Sequence, residues 1–134
     1  MYGSPDATLL ALSAAPVDQS VINALQASAA KLGHATGACV ATLEEAGADV
    51  ARFVAAADPW SVLALDDEAA CALRQAFAPA ADALAPDAPV CVPAGYTLVA
   101  VPAFASCLDD QQAKRVAWAR MKAARHPGNP LERH

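Results

Sequence analysis

Short apolar runs alternate with segments of helical period along this chain, and that rhythm predicts its elements. ATLLALSA, residues 7–14, is a continuous apolar run ahead of Pro16 and reads as a buried strand. PVDQSVINALQASAAKLG follows, with Asp18 as N-cap, Val21, Leu25, Ser28 and Leu32 at helical spacing, and Gly33 as a stop. GACVATL, residues 37–43, reads as a second strand. Glu44, Glu45 and Asp49 open a second helix, whose Val50, Phe53, Val54 and Ala57 form an apolar stripe ended by Asp58-Pro59. WSVLAL, residues 60–65, is a third buried strand, and Asp66 and Asp67 cap the helix EAACALRQAF.

The second half is less regular. APAADALAPDAP, residues 78–89, has no clear period and reads as a surface connection. VCV, a Pro93-Ala94-Gly95 turn and YTLVAV suggest a small hairpin or extended pair. A last helix runs from about 109 to 125, with Ala113, Ala117, Met121 and Ala124 toward the sheet and Trp118 on its flank. The expected architecture is α/β, a three-layer sandwich with a mostly parallel four-stranded central sheet. Residues 1–125 form its single domain and 126–134 a flexible tail.

Composition changes this picture in two ways. The chain is 56% hydrophobic, but 37 of its 134 residues are alanine, so the core must rest on the larger side chains. No apolar run approaches the roughly 20 residues of a membrane span, and MYGSPD lacks the basic and apolar regions of a signal peptide. A cytoplasmic protein away from membranes is expected.

Net charge is −5, unevenly placed: residues 1–113 sum to −10 and residues 114–134 to +5. An acidic body disfavours duplex binding, whereas Lys114, Arg115, Arg120 and Arg125 on the last helix form a possible basic binding face. Charged outer faces of helices are common, and a solvated face is the simpler reading.

Cys39, Cys71, Cys91 and Cys107 include no C-x-x-C pair and no cysteine–histidine cluster, so no metal site and no cofactor are expected. Phosphate cradles of the G-x-G-x-x-G or P-loop kind are absent as well. Asp66 and Asp67, with Asp18 or Glu44, are the nearest approach to a carboxylate site for a hard cation, although Asp at a strand–helix junction is usually an N-cap. His34, between a helix stop and a strand, reads as a solvated loop histidine, and no catalytic triad assembles around Ser13, Ser61 or Ser106.

DPWSVLALDDEAACAL followed by GYTLVAVPAFASCLDDQQAKRVAWARMK resembles the C-terminal half of uracil-DNA glycosylase superfamily proteins, especially the iron–sulfur type of bacteria and archaea. That family has a strand ending in a His-Pro-Ser/Ala motif, then a helix reading like L-K-R-x-x-W-x-x-L-K. Lys114, Arg115, Trp118, Met121 and Lys122 fall on matching positions, and LSAAPV keeps the Ala15-Pro16 of the family's first loop. The likeness covers about residues 58–125. A weaker likeness is to the clamp-loader psi subunit, a protein-binding adaptor of DNA replication.

The departures concern the chemistry the family implies. Its enzymes flip uracil from the stack, activate water with an acidic or asparagine side chain and stabilise the leaving base with histidine. By the resemblance, the His-Pro pair falls on Ala103-Phe104 and the first-loop acid on Ala14, and the family's cluster spacing is missing. Losing one general acid or base typically costs roughly 10²–10⁴-fold. The resemblance thus implies a vestigial pocket of Ala14, Ala15, Pro16, Asp66, Ala103, Phe104 and Ser106 in a non-catalytic module that binds a protein partner. The alternatives are a psi-like polymerase accessory subunit, and a small enzyme or weak nucleic-acid binder using Asp66 and Asp67 or the basic helix.

Overall fold

The computed structural model describes residues 3, 7–34, 37–77, 90–91, 96–101 and 111–122. Its elements are β1 (Leu9–Ser13), α1 (Gln19–Lys31), β2 (Ala38–Thr42), α2 (Leu43–Ala46), α3 (Val50–Ala57), β3 (Ser61–Ala64), α4 (Asp67–Ala76), β4 (Val90–Cys91), β5 (Thr97–Ala100) and α5 (Gln111–Met121). The sheet order is β2-β1-β3-β5-β4. Four strands run parallel, and two-residue β4 pairs antiparallel with β5 at the edge, a fifth strand beside the expected four; the Pro93-Ala94-Gly95 turn lies outside the described residues.

Every residue of β1, β2 and β3 is buried, as a sheet covered on both faces requires. Alternation of side chains along each strand sorts them into two cores. Leu10, Leu12, Cys39, Ala41, Val62, Ala64, Leu98 and Ala100 meet Val54 of α3 and Ala69, Ala70 and Leu73 of α4. Leu9, Ala11, Val40, Leu63, Val99 and Val101 meet Val21, Leu25 and Ala29 of α1 and Ala117 and Met121 of α5. The result is three layers, helix–sheet–helix. Each fully buried Leu, Val or Met contributes about 1.5–3 kcal/mol. Alanines such as Ala29, Ala69 and Ala117 let the helices approach the sheet closely.

Local signals set most boundaries. Asp66 caps α4, its carboxylate accepting from the Ala69 N–H at 2.8 Å. Asp49 caps α3 in the same way through the Arg52 N–H at 3.0 Å. Asp18 stands at the N-cap of α1 without a side-chain cap bond. One helix was expected after β2, and two are found. Thr42 and Glu45 form a reciprocal capping box that starts α2, and Gly47, at φ +80°, turns the chain before α3 begins. The stripe itself lies where the spacing places it, with Val54 buried and Val50, Phe53 and Ala57 packed beside it. On the other face Trp118 packs half-buried against the core, with the Lys31 ammonium 6.0 Å from its ring centroid. None of the described helices is long and apolar enough to cross a membrane.

Candidate functional site

In an open parallel sheet, ligands favour the crevice outside the carboxyl ends of the strands, where strand order reverses. Here the order reverses at β1, which has β2 on one side and β3 on the other. The residues at this place are Ser13 at the end of β1, Ala14 and Ala15 after it, and Leu65 and Asp66 after β3.

Asp66 is the centre of the arrangement. Its Oδ2 accepts from the Ala14 N–H at 2.8 Å while its Oδ1 accepts from the Ala69 N–H at 2.8 Å. Leu65 N–H donates to the Leu12 carbonyl at 2.9 Å, so the two strand ends are tied twice. Ser13 Oγ donates to the Ala15 carbonyl at 2.7 Å and closes the β1 loop on itself. One strand further out, the Glu45 carboxylate takes the Thr42 N–H at 3.0 Å and Thr42 Oγ1 takes the Glu45 N–H at 3.1 Å. Ser13, Thr42 and Asp66 each close a local backbone turn or cap, which is their chemistry in this fold.

Of the residues expected to form a pocket, Ala14 and Asp66 meet between the ends of β1 and β3, Ala15 follows in the same loop, and Pro16 lines a cleft on the β2 side of β1. Ala103, Phe104 and Ser106 lie outside the described residues, as does Arg125 of the basic face. On α5, Lys114 and Arg115 are exposed and Arg120 is half-buried. Asp67 is exposed in the first turn of α4, and Glu44 stands on the far side of β1, in α2. Among the described residues, no three His, Cys, Asp or Glu side chains converge as metal ligands would.

A cleft of about 490 Å³ opens beside this crevice, at the carboxyl ends of β1 and β2. Val17, Ile22 and Val40 give it an apolar floor, and Pro16, Glu44 and Glu45 form an exposed rim. A second hollow of about 610 Å³ lies over α2, α3 and α4, where Leu43, Gly47, Asp49, Val50 and Gln75 line it together with Ala48, Ala51, Ala72 and Ala76.

His34 differs from its sequence reading. His34 is buried, not solvated: only 1% exposed, its Nδ1 lies 2.7 Å from Thr8 Oγ1, and its backbone N–H donates to the Ala29 carbonyl. The fold brings Thr8 to the ring from 26 residues earlier in the chain and supplies the hydrogen bond that a buried imidazole needs. Cys71 is exposed on α4, whereas Cys39 is buried in β2, where desolvation pushes its thiol up from the ordinary value. The cleft itself left no motif in the sequence. Thr42-Leu43-Glu44-Glu45 is a capping-box signature and could have located its rim.

No family model matches the sequence, and no curated protein matches it.

Proposed function

We propose that this protein is a non-catalytic interaction module of uracil-DNA glycosylase-like fold that binds a protein partner, in DNA replication or repair. The observation that supports it most is the double engagement of Asp66 by the Ala14 and Ala69 amides. A carboxylate whose two oxygens hold backbone amides of the β1 loop and of the first turn of α4 is a fastener, and freeing it to activate water would loosen both. Ser13 and Thr42 are committed in the same manner. The first loop offers Ala14 where the resembled family has its acid, and the likeness of the last helix supports kinship in scaffold without kinship in chemistry.

A protein partner fits better than duplex DNA because residues 1–113 carry net charge −10, which repels phosphate. The test is incubation of the full chain with uracil-containing single- and double-stranded DNA. No abasic product is expected, and protein-dependent product refutes the proposal.

A further inference from the structure

Strand β2 is an edge strand among the described residues, with β1 as its one neighbour. An open edge presents backbone donors and acceptors to any passing strand, and proteins normally close it. Among the described residues this edge is closed at both ends, with Gly3 also packed against Ala38, and open at Val40. Leu65 N–H bonds the Leu12 carbonyl, so the even-numbered residues of β1 bond β3, and Ala11, in register with Val40, bonds Cys39 and Ala41 of β2. The backbone groups of Ala38, Val40 and Thr42 therefore point away from β1.

Two of the three are closed by side chains. The Gln26 amide of α1 donates to the Ala38 carbonyl at 2.8 Å and accepts from the Ala38 N–H at 3.0 Å, completing the pair that another strand would make. The Thr42 N–H goes to Glu45 at 3.0 Å. Val40 lies between them, and it lines the 490 Å³ cleft together with Ile22, one turn of α1 before Gln26. The cleft thus contains one open rung of the sheet edge, an apolar floor of Val17 and Ile22, and the carboxylate of exposed Glu44 on its rim.

We propose that this cleft is a docking point for one extended residue of a partner protein, a lysine or arginine whose backbone bonds the Val40 N–H and C=O and whose cation meets Glu44. The inference rests on the protein-partner reading and names the chemistry of that partner. Strand addition supplies the backbone bonds, and the closed rungs on either side limit it to a single residue. Charge selects the side chain: Glu44 on the rim and exposed Asp18, next to Val17 of the floor, belong to the segment 1–113 of net charge −10, complementary to a cation and repulsive to an acid. The long methylene stem of lysine or arginine suits the apolar floor.

The test uses the ¹⁵N-labelled full chain and four probes: acetyl-Thr-Val-Lys-Val-Thr-amide, the same peptide with central glutamate, the lysine peptide N-methylated at its central residue, and n-butylammonium. The lysine peptide is expected to shift the Val40 amide and slow its hydrogen exchange. The glutamate and N-methyl peptides and the bare cation are expected to leave Val40 unmoved, and Glu44→Lys to weaken the lysine peptide roughly fivefold or more. Docking is overturned if Val40 N–H is already as protected as the β1-bonded Ala41 N–H in the unliganded chain. It is equally overturned if the lysine peptide leaves Val40 unmoved, or if butylammonium alone reproduces the shift, which would mark a small-cation site. Uracil excision by the same sample would instead refute the interaction-module reading, so the two failures are distinguishable.

Discussion

The Asp66 carboxylate reaches across the reversal point of the sheet to the Ala14 N–H, 2.8 Å away and 52 residues earlier in the chain. With its other oxygen it caps α4. Asp66→Ala removes a cap worth about 1 kcal/mol and leaves a part-buried amide short of its acceptor, for a total loss of about 2 kcal/mol. Asp66→Asn keeps one acceptor and should lose about half as much. Urea unfolding of the two variants checks this. A loss below about 0.5 kcal/mol in Asp66→Ala would mean that the clamp contributes nothing.

Cys39 and Cys71 should separate cleanly in reactivity. Exposed Cys71 should label rapidly with a thiol reagent in the native chain, and Cys39 only as fast as the protein opens. Burial raises the Cys39 thiol pKa in the folded state, so its contribution to stability is complete below the ordinary thiol pKa. As pH rises past that value the unfolded chain ionises first, and stability falls until the folded thiol also ionises. Cys39→Ala should therefore flatten part of the alkaline decline seen in urea unfolding across the alkaline range. An unchanged decline would show that Cys39 is not its source.

His34 is buried just after α1 with its ring bonded to Thr8 at 2.7 Å. Replacing it by alanine removes a fully buried ring and that bond, with an expected loss of about 2–4 kcal/mol. The same urea titration reads this, and a change within the scatter of surface substitutions would restore the view of a solvated loop residue.

Gln26 closes the lower end of the β2 edge. Gln26→Ala should cost about 1 kcal/mol and also uncover the Ala38 rung, giving concentration-dependent self-association in sedimentation. Gly37→Ala should have a related effect, because its φ is +80° and a Cβ there would stand 2.6 Å from the Gln26 Oε1. A monomeric Gln26→Ala of unchanged stability would contradict the edge-closing role.

Local signals made the fold legible in particular places. The apolar run Leu9–Ser13, the stripe of Val54 with its neighbours, and the Asp66 cap are all short-range patterns, and each appears where the spacing puts it. The candidate site was less legible, because its bonds are long-range or disguised. The Asp66 partner Ala14 has no side chain to advertise it. Gln26 looks like any polar residue on an outer helical face, and its role depends on Ala38 lying beside it. His34 stands between a helix stop and a strand, a place that usually faces water, and only the tertiary fold, which brings Thr8 to its ring from 26 residues away, buries it. The openness of Val40 follows from strand order and register, which hydrophobic pattern does not encode.

The most direct test of the central claim is abasic-site formation on uracil-containing single-stranded DNA by the purified full chain, with Asp66→Asn as control. The account predicts product at the level of the protein-free reaction even with protein in excess, and no difference between wild type and variant. Product that rises with protein and is lost in a folded Asp66→Asn variant would show that Asp66 performs catalysis and contradict the account.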